Sequence, residues 1–423
     1  MRVYLRTFGC RANQYDTEAV REMIGAAGHT IVASARDADV AVFNSCAVTA
    51  AAEADLRQGV RRAARENRAL RSVVMGCAAA LDRGTIRSLP TVSHTVQGAD
   101  LAALAAALDL PPSAATNGLT RAQSSARATL RIQDGCDEHC TFCATTIARG
   151  STRSRVIDAV VAEAAVLAER HQEIVLTGIH IGSWGVDLGQ PLSVLVEHLV
   201  RQVPAVRFRL SSLEATEVDG RLRELLRSDD GRLAPHLHAP LQSGSNDILR
   251  RMGRHWYTAE SYASAVSSLV RDRDVFGLGA DVISGFPGET EDDHGATLRL
   301  IEQLPFTYLH VFPYSPRPGT AATRLGPPAS AAVVERRTAD LRALAHQKAT
   351  VYRATRVGAL ADIVITRGGP RCEGITEDFL TIAMRQPVSR GSRLRARLTN
   401  DGGSLFGTPE AVEAASLGYL SPS

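Results

Sequence analysis

The chain has 423 residues, of which 44% are hydrophobic and 22% are charged, and its formal net charge is +3. This composition is that of a globular protein, and the length indicates roughly two or three domains. The most apolar stretch, residues 101–110, is about half as long as a membrane span requires, and no apolar leader follows Met1. We therefore expect a cytoplasmic protein without a membrane partner. The charge is too small to indicate a nucleic-acid partner by itself.

Strand patterns alternate with helical patterns at the start of the chain, which predicts a Rossmann-like parallel α/β domain over residues 1–110. A stretch rich in proline, serine and alanine, residues 111–127, indicates a linker. The predicted strands of the first domain are 2–7, 39–43 and 72–75, and its predicted helices are 14–26 and 50–66.

Six short apolar runs separated by helical stretches follow the linker and predict a partial (β/α)6 barrel over residues 122–350. In such barrels the chemistry gathers at the carboxyl ends of the strands. A charged helix over 332–356 leads into short strands with turns, such as 361–366 and 379–384, which predict a small β-barrel domain over residues 351–420. The six predicted core strands are 129–133, 173–180, 206–212, 236–242, 279–284 and 309–314.

Cys136, Cys140 and Cys143 form a C-x3-C-x2-C motif directly after the first predicted barrel strand. Three thiolates on a four-iron cluster leave one iron open, and the amino and carboxylate groups of S-adenosylmethionine can bind there. The cofactor would then supply radical chemistry. A zinc site with His139 as the fourth ligand is the alternative. The spacing favours a catalytic [4Fe-4S] cluster.

Cys10, Cys46 and Cys77 each follow a predicted strand of the first domain. The carboxyl ends of neighbouring parallel strands share one edge of a sheet, where open α/β folds bind ligands. Ordinary buried cysteines are the alternative for any one of them. Three at equivalent strand ends predict a second [4Fe-4S] cluster with an open iron that could hold an exogenous sulfur. Cys372 has no thiol neighbour in the sequence and is predicted to be a bystander.

Short motifs spread over nearly the whole chain resemble those of one family, the methylthiotransferases of the radical S-adenosylmethionine superfamily. Two details depart from the family pattern: Thr146 replaces a usual proline, and alanines occupy positions 78–80. The motifs are TFGCRANQYDTE (7–18), NSCAVT (44–49), GC (76–77), GCDEHCTFC (135–143), RG (149–150), LTGIH (176–180), SSLE (211–214), LQSGS (241–245), GFPGET (285–290) and FPYSP (312–316).

The resemblance implies two [4Fe-4S] clusters, S-adenosylmethionine, and a carboxyl-terminal β-barrel, called TRAM, that binds tRNA. It implies as partners a tRNA anticodon loop, an electron donor of the flavodoxin or ferredoxin type and a sulfur donor. Segments 13–18, 176–183 and 314–320 are most similar to the branch that converts N6-threonylcarbamoyladenosine-37 of tRNA to its 2-methylthio derivative. The alternatives are isopentenyladenosine tRNA, ribosomal protein S12, or a non-enzymatic iron–sulfur protein that binds RNA.

In this family context we expect S-adenosylmethionine to contact Phe142, Glu214, Gly285, Phe286 and Pro287. Glycines allow close approach of the backbone to a ligand, and Glu214 follows the third predicted barrel strand.

Several other polar residues have two readings. His180, His236 and His238 are expected to be hydrogen-bonded core histidines, whereas Asn13 and Asp16 could line the sulfur site or cap a helix. The arginine-rich run 385–397 alternates like a strand with one basic face, which suits RNA.

Overall fold

The computed structural model describes residues 1–47, 50–114 and 118–410. Val48 and Thr49 of an amino-terminal motif, part of the predicted linker (115–117) and the end of the predicted third domain (411–420) lie outside the described residues. Within the described ranges, no helix combines the length and the apolarity needed to cross a membrane.

Five parallel strands form the amino-terminal sheet in the order β2-β1-β3-β4-β5. The prediction of a parallel α/β fold is confirmed, and two edge strands are added to it. One of these is only three residues long and the other is interrupted by polar residues, so neither shows a clear apolar run. The elements are β1 Arg2–Thr7, α1 Arg11–Ala26, β2 Thr30–Val32, β3 Val40–Ser45, α2 Ala50–Glu66, β4 Arg71–Gly76, α3 Cys77–Leu81, β5 Val92–Gln97 and α4 Leu101–Ala107.

Six parallel strands form the core of the chain as two three-stranded sheets, β6-β9-β10 and β11-β12-β13. A bridge between Ser212 and His238 joins the two sheets, which gives the predicted six-stranded partial barrel. The elements are β6 Ala128–Arg131, β7 Gln133–Asp134, α5 Thr145–Arg149, β8 Arg153–Ser154, α6 Ile157–Ala168, β9 Glu173–Thr177, α7 Leu192–Gln202, β10 Arg207–Leu210, α8 Gly220–Arg227, β11 His236–His238, α9 Asn246–Arg251, α10 Ala259–Val270, β12 Gly277–Ser284, α11 Glu291–Gln303 and β13 Tyr308–Pro313.

The two faces of this partial barrel differ in character. Alternate strand residues such as Phe208, Leu237 and Leu278 are fully buried in the apolar core that includes the helices. Their neighbours on the opposite, inner face include Arg209 and His236, which are also buried. Closed barrels of this type fill their interior with branched apolar side chains, so the polar inner face of this partial barrel departs from that pattern.

A long helix connects the core to a closed five-stranded barrel with the order β14-β15-β16-β18-β17. The loop between β15 and β16 docks on the core, where Arg209 donates hydrogen bonds to the carbonyls of Thr376 and Glu377, both at 2.9 Å. Phe379 lies in this loop with φ 73°, so the strand predicted to begin there begins two residues later. The elements are α12 Ala331–Thr355, β14 Leu360–Arg367, β15 Glu373–Thr376, β16 Thr381–Met384, β17 Arg393–Asp401 and β18 Ser404–Pro409.

Candidate functional site

The cysteine triplet lies in a loop that leaves β7 and ends at α5. Gly135 opens this loop with φ +76°, and a side chain there would collide with the carbonyl of Ser151, so only glycine allows the turn. The amide of Thr141 donates a 2.8 Å hydrogen bond to the carbonyl of Met252, which ties the loop to the end of α9. The three thiols are thereby held at the carboxyl end of the first core strands.

The three thiols line one cavity with side chains from several strand ends. Glu214 is ion-paired with Arg254 and accepts a 3.0 Å hydrogen bond from Nε1 of Trp256. Arg254 also places Nη1 3.4 Å from Sγ of Cys140, so a buried cation lies against one thiol. The residues that line the cavity include Cys136, Cys140, Phe142, Cys143, His180, Glu214, Gln242, Arg254 and Trp256.

His180, predicted to be a hydrogen-bonded core histidine, lies beside the triplet. Its Nδ1 is 4.0 Å from Sγ of Cys136, and its Nε2 is 2.8 Å from a carboxylate oxygen of Glu217. The ring therefore connects a cluster-binding candidate to a carboxylate on the next loop.

Thiols in both sets have a raised pKa when no metal is bound. For Cys140 the main cause is burial, and for Cys10 it is a hydrogen bond. Burial raises the pKa of Cys140 to about 12, although the nearby Arg254 acts in the opposite direction. In the other set, a hydrogen bond with Cys46 and burial of the sulfur raise the pKa of Cys10 well above its usual value. A metal must displace these protons, and the adjacent guanidinium favours the anionic ligand that results.

Cys10, Cys46 and Cys77 follow β1, β3 and β4, which are neighbours in the sheet. Gly9 has φ +110°, and a side chain there would overlap Cys46, so the turn after β1 packs directly on the thiol after β3. Sγ of Cys10 is 3.0 Å from Oδ1 of Asn13, on the first turn of α1. The structure brings the three strand ends together as their spacing predicts.

Neither Asn13 nor Asp16 caps a helix. Asn13 is fully buried and donates 2.8 Å hydrogen bonds to Asn44 and to the carbonyl of Ser45, which fixes the loop that carries Cys46. Asp16 forms ion pairs with Arg131 at 2.6 Å and with Arg149 at 2.7 Å. Both arginines belong to the partial barrel, so Asp16 links the amino-terminal α/β domain to it.

Arg149 reaches from the core to the amino-terminal thiols. Its side chain is 1% exposed, and its Nε lies 3.4 Å from Sγ of Cys77. A second cavity is lined by Cys77 from one set and Cys143 from the other, together with Phe142 and Arg317. One thiol of each set thus borders a common cavity.

The donor atoms fit clusters better than single ions. Four ligands around one zinc ion, with Zn–S bonds near 2.3 Å, lie within about 4 Å of one another. In the described residues, the only group of three donors as tight as 4.8 Å is His238, Asp281 and His310, and neither thiol triplet qualifies. Thiols that bind different irons of one cluster do not need to be so close, which favours the iron–sulfur reading over zinc with His139.

The segment from Gly285 to Pro287 lies behind the triplet cavity and does not line it. Phe286 is fully buried and packs edge-on against Phe142, with 6.5 Å between the ring centroids. Gly285 approaches Val334 of α12 closely, so its freedom from a side chain serves this helix contact. Of the residues predicted to contact S-adenosylmethionine, the structure places Phe142 and Glu214 at the cavity.

The remaining predicted residues are placed as follows. Cys372 is buried in the apolar core of the closed barrel, as expected of a bystander. The buried arginines 149, 254 and 317 were not predicted as site residues. Arg254 and Arg317 are far in sequence from both thiol sets, and the thiol that Arg149 contacts, Cys77, is 72 positions away. The RG motif at 149–150 was the only available signal.

Two sequence families match the chain. Uncharacterized protein family UPF0004 matches residues 2–98, and the Radical SAM superfamily matches residues 130–301. The structure is also similar to that of a radical S-adenosylmethionine methyltransferase, TsrM from Kitasatospora setae. That similarity has a TM-score of 0.56 over 76% of each chain at 15% identity, which shows a shared fold.

Curated relatives extend over most of the chain. The threonylcarbamoyladenosine tRNA methylthiotransferase MtaB of Bacillus subtilis is 34% identical, covering 90% of each protein. MtaB of Aquifex aeolicus is 33% identical over 82% of this chain and 88% of its own length. The tRNA-2-methylthio-N(6)-dimethylallyladenosine synthase of Zymomonas mobilis is 30% identical over 94% of each. The chain therefore belongs to the MtaB-like radical S-adenosylmethionine tRNA methylthiotransferases.

Proposed function

We propose that the substrate is N6-threonylcarbamoyladenosine-37 in the anticodon loop of a tRNA, and that the enzyme attaches a methylthio group to C2 of that base. Five MtaB proteins at 31–34% identity support this branch of the family. Relatives named for dimethylallyladenosine have 30–31% identity, so isopentenyladenosine is the nearest alternative. The base must leave its stack to reach an enclosed site, which suits an unpaired loop.

The observation that carries this proposal is the cavity shared by Cys77 and Cys143. Methylthiolation requires one site that activates the base and another that holds the sulfur. Cys136, Cys140 and Cys143 would bind the first [4Fe-4S] cluster, and the other triplet would bind the second, which leaves an open iron in each. A common space between the two sets allows both to act on one base. The second set consists of Cys10, Cys46 and Cys77.

The protein itself would orient the cofactors and exclude water. When bound, the first cluster and S-adenosylmethionine supply the radical chemistry. Phe142 and Glu214 line the cavity, and Arg254 holds Glu214 in place while facing Cys140. Phe286, between Gly285 and Pro287, supports the ring of Phe142 from behind.

We further propose that the closed barrel is a TRAM domain that binds tRNA. Arg395 and Arg397 lie exposed on one face of β17, while Ala396 and Leu398 point into the barrel core. This matches the predicted basic strand, and phosphate contacts would follow from it. The domains would then be 1–110, 122–350 and 351–420. An electron donor of the flavodoxin or ferredoxin type and a sulfur donor complete the predicted partners.

Nucleoside mass spectrometry tests the substrate. The reconstituted enzyme would be incubated with S-adenosylmethionine, a reductant and sulfide, and with tRNA that carries either threonylcarbamoyladenosine or isopentenyladenosine. We expect the 2-methylthio product from the first tRNA and none with Cys140→Ala. Product formed only from isopentenyladenosine, or from neither tRNA, would reject the assignment.

A further inference from the structure

The inner face of the core barrel carries more positive than negative charge. Glu173, fully buried, is the shared partner of three arginines: Arg127 at 3.0 Å, Arg207 at 2.7 Å and Arg209 at 2.9 Å. Arg207 has a second partner, Asp362, at 3.1 Å. Glu173 is therefore the main carboxylate partner of these three arginines, which together form a cationic wall.

Arg11 adds a further cation to this wall. It follows Cys10 directly and points to the docking loop of the closed barrel, with its guanidinium 5.5 Å from the centre of the Phe379 ring. Arg209 lies 5.4 Å and Arg127 6.0 Å from the same ring. Arginine remains charged at any physiological pH. Among the described residues, however, no carboxylate forms an ion pair with Arg11. Arg11 is only partly buried, so its guanidinium can be reached by a ligand, and an anionic group would supply the ion-pair partner that this partly desolvated charge lacks.

A hydrogen-bonding wall continues from Arg11 along β11, β12 and β13. The hydroxyl of Tyr308 is 2.8 Å from Nε2 of His236 and 3.1 Å from Nδ1 of His238. Asp281 then connects His238, at 3.0 Å, to His310, at 3.2 Å. The side chain of His310 is 54% exposed, so this wall borders open space.

The Tyr308 ring contacts Phe379 at 5.4 Å between centroids, so Arg11 and this wall both lie against one aromatic side chain. Gly279 on the neighbouring strand has no side chain, and any Cβ there would overlap the Tyr308 ring. The position of Tyr308 is therefore built into the sheet.

We propose that Arg11 binds the carboxylate of the threonylcarbamoyl group, and that Tyr308 and His310 face the polar remainder of that group. This inference rests on the proposed function and adds the residue that sets its substrate specificity. An isopentenyl group has no charge and no hydrogen-bonding atom, so it would leave Arg11 unpaired. The enzyme would therefore select against isopentenyladenosine, because binding it would leave the charge of Arg11 without a partner.

Equilibrium binding tests the inference without turnover. The reconstituted enzyme, without S-adenosylmethionine, would be titrated with anticodon stem-loops that differ only at the target adenosine: threonylcarbamoyladenosine, its carboxamide analogue and unmodified adenosine. For the wild type, we expect the carboxylate to bind roughly 10- to 100-fold more tightly than the carboxamide, as for a hydrogen bond to a charged group. Arg11→Gln should abolish that ratio and Arg11→Lys should retain part of it.

Because each ratio compares two RNAs on one protein, incomplete cluster loading does not affect it. Arg342→Gln, which removes an exposed arginine of α12, is the matched control and should keep the wild-type ratio. A full ratio in Arg11→Gln would overturn the inference and leave the proposed substrate standing. Equal weakening of all three RNAs would also overturn it, since Arg11 would then contact phosphate or serve the fold. A wild type that does not prefer threonylcarbamoyladenosine to adenosine would instead reject the proposed function.

Discussion

At the scale of single residues, buried arginines hold the thiol sites in place. Arg149 and Arg254 each lie 3.4 Å from a thiol, and each is ion-paired with a buried carboxylate. A cation in this position favours thiolate ligands and orients the loop that carries them. Removing such a partner leaves a buried charge without compensation, which costs more than the pair itself contributes.

We expect Arg149→Met to lower the free energy of unfolding by about 2–4 kcal/mol, because Asp16 loses its buried partner and keeps only the partly exposed Arg131. Urea unfolding of the metal-free protein measures this. Arg153→Met is the matched control, since that side chain is 61% exposed and 3.6 Å from its partner, and it should unfold like the wild type. Equal stability of the two variants would show that the Asp16 pair does not join the domains.

The thiols could be predicted from the sequence, whereas the arginines could not. Cys10, Cys46 and Cys77 follow apolar strands at the spacing of β-α-β units, so local patterns are enough to bring them together. Arg149 meets Cys77 across 72 positions of the chain, and Arg254 meets Cys140 across 114. No local pattern encodes such contacts, because they depend on how complete elements pack.

At the scale of elements, the turns after parallel strands determine the sites. The turn between β1 and α1 is one such case, since Gly9 has φ +110° and lies against Cys46. The positions of such turns in the sequence could be predicted, but their backbone conformation could not. The loop that carries Phe379 is a case in which the sequence pattern was misleading. Residues 379–384 have the pattern of a strand, but Phe379 has a positive φ. Docking on the partial barrel imposes this strained backbone, and the sequence does not reveal it.

We predict that Gly9→Ala loses the second cluster and retains the first, so that iron falls to about four per chain. A methyl group at this position would overlap the side chain of Cys46. Gly28→Ala is the matched control, because φ there is also positive, at +76°, but nothing lies within 4 Å. Equal iron contents in the two variants would contradict the proposed packing of the turn.

Glu173, the first residue of β9, makes the free energy of unfolding depend on pH. Burial raises the pKa of Glu173, but Arg209, Arg207 and Arg127 outweigh it and hold this pKa well below its usual 4.5. Since the pKa is depressed on folding, the stabilisation is complete at neutral pH and is lost as the pH falls below 4.5.

Glu173→Gln should therefore destabilise the protein by about 3–5 kcal/mol at neutral pH, and the difference from the wild type should narrow as the pH falls. Urea midpoints across this pH range measure it. Glu66→Gln, at an exposed helix pair with Arg62, should leave the profile unchanged. A constant difference at all pH values would show that Glu173 acts through packing alone.

At the scale of the whole molecule, each of three parts contributes residues to the proposed sites. The parallel sheet brings one thiol set, the partial barrel brings the other, and the closed barrel supplies the loop that carries Phe379 to the inner face. The fold class could be predicted, because strand and helix periodicities are long and regular. The relative positions of the parts could not, since they rest on pairs such as Asp16–Arg149 and on hydrogen bonds such as those of Arg209 to the docking loop.

The central claim is that two separate thiol sets each bind a cluster, and counting iron and acid-labile sulfide per chain tests it most directly. We predict about eight irons in the anaerobically reconstituted wild type and about four in the Cys10/Cys46/Cys77 triple alanine variant. About four should also remain when Cys136, Cys140 and Cys143 are replaced. A wild type with only four irons, or a triple variant at Cys10, Cys46 and Cys77 that keeps all eight, would contradict the two-cluster account.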